Sequence, residues 1–275
     1  MRRAAASLAL LGAALAACGT APAAAPEGLR VAVEQSRDNE NRGLLQLVVT
    51  NDGSTPVVVR RAALRSPGYR AAPGGVFDDV VRPGGRTAFP VPLGEADCRR
   101  TTSGSAAVVG LREGGTVREV LLPVPADDPV LPRLHGRACA LEEVAAAVDL
   151  ALTTSAPDGG VVRGELVLRR RSGTAEVRLT DVQSSILFLL QPAGGLPLAL
   201  PPGRRRAALP VVLRAVRCDP HALLESKRSY TFPVFVALDG GEPLQVPVTA
   251  DGAGRARLDE VLRDRCAEEG VDLGG

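Results

Sequence analysis

Residues 86–98 read RTAFPVPLGEADC and residues 206–218 read RAALPVVLRAVRC. Arg86, Ala88, Pro90, Val91, Leu93 and Cys98 recur as Arg206, Ala208, Pro210, Val211, Leu213 and Cys218, at an offset of 120 residues. Each stretch follows a proline-glycine turn, Pro83-Gly84 or Pro202-Gly203, and the likeness continues outward. Glu113-Gly114-Gly115 answers Asp239-Gly240-Gly241, Pro123-Val124 answers Pro247-Val248, and Arg137 with Cys139 answers Arg265 with Cys266. A period this long is that of a whole domain rather than a solenoid unit. The chain of 275 residues thus reads as two tandem copies, residues 29–141 and 142–275.

Within each copy, short apolar or alternating segments recur between turn residues. In the first they are Leu29 to Glu34, Leu44 to Thr50, Val57 to Arg65, Arg86 to Leu93, Ala106 to Leu111 and Val117 to Val124. In the second they are Val144 to Thr153, Val161 to Arg169, Ala175 to Thr180, Ala207 to Val216, Tyr230 to Ala237 and Leu244 to Val248. Asn51-Asp52-Gly53-Ser54 has the composition of a turn between antiparallel strands, and Asp239-Gly240-Gly241 that of a hairpin. This spacing predicts an all-β protein of two tandem immunoglobulin-like, Greek-key β-sandwiches, with a jelly roll as the rival architecture. Helix is expected only in short pieces. Leu258, Val261, Leu262 and Arg265 place one over Arg257 to Ala267, and Leu223 to Ser226 offers a further turn.

Met1, Arg2 and Arg3 precede an apolar run from Ala4 to Ala17, interrupted by Ser7 and Gly12. A charged start and an apolar stretch well short of the ~20 residues that span a bilayer make a signal peptide, residues 1–17. Its end, Leu15-Ala16-Ala17-Cys18, resembles the lipobox of bacterial lipoproteins. The resemblance implies cleavage before Cys18 and a diacylglyceryl group with palmitate-like chains on that cysteine. It also implies anchoring to the outer face of the cell membrane, because two or three acyl chains at about 0.8 kcal/mol per buried methylene hold durably. Residues 18–28, rich in Ala and Pro, then form a linker.

Without Cys18 four cysteines remain, two in each copy at matching positions. Four allow three pairings, and the duplication selects Cys98 with Cys139 and Cys218 with Cys266. Disulfides suit an exported chain. Neither a C-x-x-C pair nor Cys and His at zinc spacing occurs, so no metal or redox cofactor is expected.

Acidic and basic side chains balance once Arg2 and Arg3 leave with the signal, which removes the bulk-charge argument for nucleic acid. Lys227 is the sole lysine among many arginines, a bias of high-GC coding. Aromatic residues make up 3% and Trp is absent, which disfavours stacking platforms for sugars or single strands and leaves the core to Val, Leu and Ala.

Cys218-Asp219-Pro220-His221, followed by Glu225, Lys227 and Tyr230, is the densest run of ionisable groups. Asp219 and His221 are the candidates for a metal or acid-base pair, weighed against a turn and helix opener fixed beside a disulfide. This run resembles one in uncharacterised secreted proteins of high-GC Gram-positive bacteria, a resemblance that implies no activity. His135 has no counterpart at His221. With two histidines the H-E-x-x-H zinc motif is impossible, and G-x-S-x-G and phosphate-cradling glycine loops are absent. Arg169 to Arg171 and Arg204 to Arg206 are candidates for an anion-binding patch, or for solvated strand faces that discourage edge pairing. The expectation is a non-enzymatic lipoprotein whose sandwiches bind an envelope protein or act as a spacer. The rivals are a binder of a small ligand, metal or anionic polymer, and a hydrolase with an unrecognised site.

Overall fold

The computed structural model describes residues 24–225 and 228–271, so the expected signal peptide, Cys18, most of the 18–28 linker and Lys227 lie outside the described residues. The chain folds as two units divided after His135.

Seven strands build the first unit: β1 (Leu29–Glu34), β2 (Leu44–Asn51), β3 (Val57–Arg65), β4 (Gly75–Val81), β5 (Arg86–Pro92), β6 (Ala106–Glu113) and β7 (Thr116–Pro123). A short helix, α1 (Arg37–Asn41), opens after Ser36, whose side chain accepts from the Asn39 N–H. One sheet runs β1-β2-β5 and the other β4-β3-β6-β7, all antiparallel. This is the expected immunoglobulin-like sandwich. Its fourth strand pairs with the third, rather than with the fifth as in constant-type antibody domains. Asn51-Asp52-Gly53-Ser54 therefore crosses between sheets instead of closing a hairpin. Glu113-Gly114-Gly115 does close one, with both glycines at positive φ where a Cβ would strain the turn. Alternation buries one face of each strand: Val31 and Val33, Leu45 and Leu47, Phe89 and Val91, Val109 and Leu111, Val120 and Leu122. Phe77 meets Phe89 edge to face at 5.0 Å.

A helix absent from the sequence reading follows β7: α2, Val130–Ala147. Asp128 starts it by accepting from the Val130 and Leu131 N–H groups, and Pro132 sits in the first turn, where a missing N–H is harmless. The second unit then adds β8 (Val148–Thr154), β9 (Val162–Arg170), β10 (Val177–Val182), β11 (Phe188–Pro192), β12 (Leu198–Leu200), β13 (Arg206–Ala215), α3 (Pro220–Glu225), β14 (Thr231–Leu238), β15 (Leu244–Thr249) and α4 (Gly252–Glu268). Its sheets run β11-β13-β9-β8 and β12-β10-β14-β15. Taking β8, β9, β10, β12, β13, β14 and β15 as counterparts of β1 to β7 reproduces both strand orders of the first unit, with β11 as an added strand. The duplication is thus one of topology as well as sequence. The expected C-terminal helix is α4, started five residues earlier than predicted by Asp251, which accepts from the Gly254 N–H at 2.7 Å. Leu258, Val261, Leu262 and Cys266 are its buried face.

Candidate functional site

The Cys218 loop is built by its neighbours. Cys218 follows β13, is buried, and bonds Cys266 on α4 with the two Cα atoms 5.3 Å apart. Asp219 then caps α3: its carboxylate accepts from the Ala222 N–H at 2.9 Å and from Arg217 at 3.0 Å. The Ala222 amide first and Arg217 second hold this carboxyl below the usual carboxylate range. Pro220 occupies the first helical position, for which its fixed φ is suited. Asp219 is therefore engaged in shaping the loop, while His221 is exposed on α3. Tyr230 turns away to α4, where its hydroxyl donates to Asp259 and Arg255 lies 6.0 Å from its ring. Burial, then Asp259, pushes Tyr230 up to about 12. Among the described residues, no group of three or more His, Cys, Asp or Glu side chains is placed to hold a metal ion.

Cys98 lies beyond β5 and Cys139 on α2, and both are disulfide-bonded. Nearby, His135 Nε2 is 3.2 Å from the Asp97 carbonyl, and its ring stands edge-on to Tyr69 at 5.5 Å. Burial pushes Tyr69 up to about 12.

The first unit carries a groove of about 670 Å³ between the 101–106 segment, the end of β7 and the start of α2. Leu121, Val124 and Leu131 contribute to its apolar lining, and Thr101, Thr102, Ser103 and Ser105 supply its hydroxyls. Asp128, the one ionisable side chain in the lining, is occupied with the α2 amides, and the Ser105 hydroxyl donates to the Thr102 carbonyl at 2.5 Å.

The arginine runs, distant in sequence, meet in the fold. Arg206 is the cross-strand partner of Arg169, and the Arg170 N–H donates to the Arg205 carbonyl at 2.9 Å. Arg170 itself is structural: its guanidinium donates to the carbonyls of Ala175, Leu200, Pro201 and Arg204. Arg206 pairs with Glu165 at 2.7 Å. Arg169, Arg171, Arg204 and Arg205 are exposed and have no ion-pair partner among the described residues. The density of arginine was readable in the sequence. The convergence of the two runs and the separate role of Arg170 were not.

No protein-family model matches the chain, and no curated protein does. Among solved structures it is similar to the exo-chitosanase CsxA of Amycolatopsis orientalis, at 16% identity and a TM-score of 0.21, over 80% of this chain. The same values hold for a variant of that enzyme in complex with PNP-beta-D-glucosamine. A structure of the enzyme, there called exo-beta-D-glucosaminidase, with a castanospermine analogue gives 15% and 0.21. The chain spans 26% of the length of these enzyme chains. Likeness at this level carries no argument about what the present chain does.

Proposed function

We infer that the protein is an exported lipoprotein, cleaved before Cys18 and lipidated there, whose two sandwiches form a non-enzymatic binding or spacer module of the bacterial envelope. The observation that carries this reading is the cysteine arithmetic. Of five cysteines, Cys98, Cys139, Cys218 and Cys266 are all in disulfides, which leaves Cys18 without a partner cysteine in its own chain. Disulfides belong to oxidising compartments, and a leftover cysteine at the end of an apolar leader is where a lipid would go. Among the described residues no helix is long and apolar enough to cross a membrane. The commitment of Asp219 and Asp128 to helix caps supports a binding or spacing role over catalysis.

Mass spectrometry of the native protein tests the anchor: the expected first residue is Cys18 carrying acyl chains, and Cys18→Ala releases the protein from the membrane fraction. A native molecule that begins at Met1 without lipid overturns it. Crosslinking at the cell surface is expected to recover an envelope partner, and turnover of a substrate without any partner would refute the non-enzymatic reading.

A further inference from the structure

The same corner of the sandwich exists twice in this molecule and carries opposite designs. In the first unit it consists of Thr50, Asn51, Asp52, Gly84, Gly85 and Arg86. Arg86 pairs with Thr50 in register, and the Asn51 N–H donates to the Gly85 carbonyl at 3.0 Å. In the second unit Arg169, Arg170, Arg171, Arg205 and Arg206 hold the matching register positions, and Arg204 follows Gly203, the turn glycine that answers Gly84. One acid and one base cancel in the first corner, where Asp52 also closes an ion pair with Arg30. The second corner carries six positive charges. Only Arg206 has an acidic partner, Glu165, and Arg170 is committed to carbonyls. Asp149, the register partner of Arg169 on β8, closes no ion pair with it.

Edge protection does not account for the charge on β9, which has a strand on both sides; only the start of β13, which β11 joins from Val211 onward, has an open side. Holding like charges in register on neighbouring strands works against folding, and an anionic ligand would offset that repulsion. We propose that the Arg169–Arg171 and Arg204–Arg205 corner of the second domain binds a phosphate-bearing polyanion. Guanidinium forks match phosphate bidentately, and the successive phosphates of a chain, each with two non-bridging oxygens, can accept forks from arginines on adjacent strand ends. A polymer fits better than a membrane surface. The corner is flanked by Ser172, Gly173, Thr174, Pro202 and Gly203, with none of the exposed large apolar side chains (Val76, Val80, Val117, Ile186, Val216, Leu224) that would insert beside the basic groups. The binding itself stands on the second domain alone. Only the placing of the polymer in the envelope rests on the export reading.

The probe is long-chain inorganic polyphosphate, titrated calorimetrically into the full chain at several salt concentrations. Arg204→Ser with Arg205→Ser leaves in place the carbonyl that Arg170 uses. It is expected to weaken binding roughly tenfold or more and to lower the log–log salt slope by about 1.4, taking about 0.7 per charge as for single strands. Arg163→Ser with Arg214→Ser removes the same charge from elsewhere on the same sheet and is expected to change the dissociation constant less than about twofold. Absence of saturable binding, or equal losses from both pairs, overturns the proposal. Binding to phosphatidylglycerol vesicles without binding to polyphosphate overturns the choice of polymer. Because none of these readouts depends on the N-terminus, they fail or succeed independently of lipid at Cys18.

Discussion

Strand β5 of the first domain and β13 of the second are the same strand of a duplicated unit, yet one ends its sheet and the other lies inside it. Gly85 and Leu93, at the two ends of β5, hydrogen-bond toward β2, so odd-numbered positions face the sheet and even ones face the open edge. Pro90 and Pro92 stand at those even positions and remove two of the donors that an incoming strand would use. In β13 the counterparts are Pro210 and Val212. The Pro210 carbonyl accepts from Ala193 at 2.8 Å, and Val212, with its N–H intact, pairs with Gln191 of β11. One substitution between proline and valine separates an edge that is blocked from an edge that is extended. The two copies thus share a core and differ at their margins, where partners are taken or refused.

The largest shared element is the staple that follows this strand. Cys218 and Cys266 are 48 residues apart, and a loop of that length stabilises by about 4 kcal/mol in the chain-entropy picture. Cys218→Ala with Cys266→Ala is expected to lower the unfolding free energy of the second domain by that order in denaturant titration, and Cys98→Ala with Cys139→Ala, the pairing expected from the duplication, to cost a like amount. A loss confined to one pair would break the equivalence of the two units.

Next in size is the side chain that closes the charged corner. Asn51 is buried and donates to the carbonyls of Thr55 at 2.9 Å and Val81 at 3.0 Å, the latter at the end of β4. Arg170, at the matching position, donates to Leu200 at the end of β12 and to three further carbonyls. Both side chains join the end of the second strand to the end of the fourth, across the two sheets. The Arg170 bonds are half-buried or exposed and one of the Asn51 bonds is buried, so either loss is expected to cost about 1–2 kcal/mol. Thermal unfolding of the single variants measures both. A negligible effect from Arg170→Ala would return that residue to the pool of ligand-binding arginines.

Much of this was legible in the residues. The strands announce themselves through alternation and turn chemistry, and the cysteines through their even number and matching positions in the two copies. Strand β4 was not seen because Asp78 and Asp79 interrupt its apolar pattern in a half-exposed sheet edge. Helix α2 was hidden by Pro132 and Gly136. Even so, the duplication aligned Cys139 with Cys266, around which a helix was expected, and Asp128 precedes α2 much as Asp251 precedes α4. Carrying the helix across the repeat would have found it. The basic corner needed the register of β9 against β13, since Arg169 and Arg206 are neighbours only through pairing. Likewise the Asp219 carboxylate was read as either ligand or helix opener, and its hydrogen bond to Ala222 makes it the latter in the fold.

Val212→Pro sharpens the comparison at a smaller scale by giving the second domain the first domain's edge. The valine N–H facing Gln191 would be lost, at about 1–2 kcal/mol, and amide exchange is expected to accelerate in β11 while β9 stays protected. Acceleration spread evenly through β9 and β8 would mean that β11 is integral to the sandwich rather than an addition to it.

The smallest difference is in acid. Three carboxyls of the first domain are held below their ordinary values, each chiefly by a hydrogen bond from one arginine: Asp52 by Arg30, Asp78 by Arg60 and Glu113 by Arg118. In the second domain Asp219 is lowered, chiefly by the Ala222 amide. A depressed carboxyl contributes stability that is complete above its unfolded value, near 4, and that fades as pH falls through the lower folded value. Acid is therefore expected to loosen the first domain slightly before the second. All four groups are exposed and their ion pairs are screened, so about 1 M salt should remove the arginine-dependent part of that order. The contribution of Asp219, which rests on a backbone amide at a helix start, should persist. Carboxyl titration by NMR at low and high salt separates the two origins: if high salt raises Asp219 as far as Asp52, Asp78 and Glu113, the cap is not what sets it.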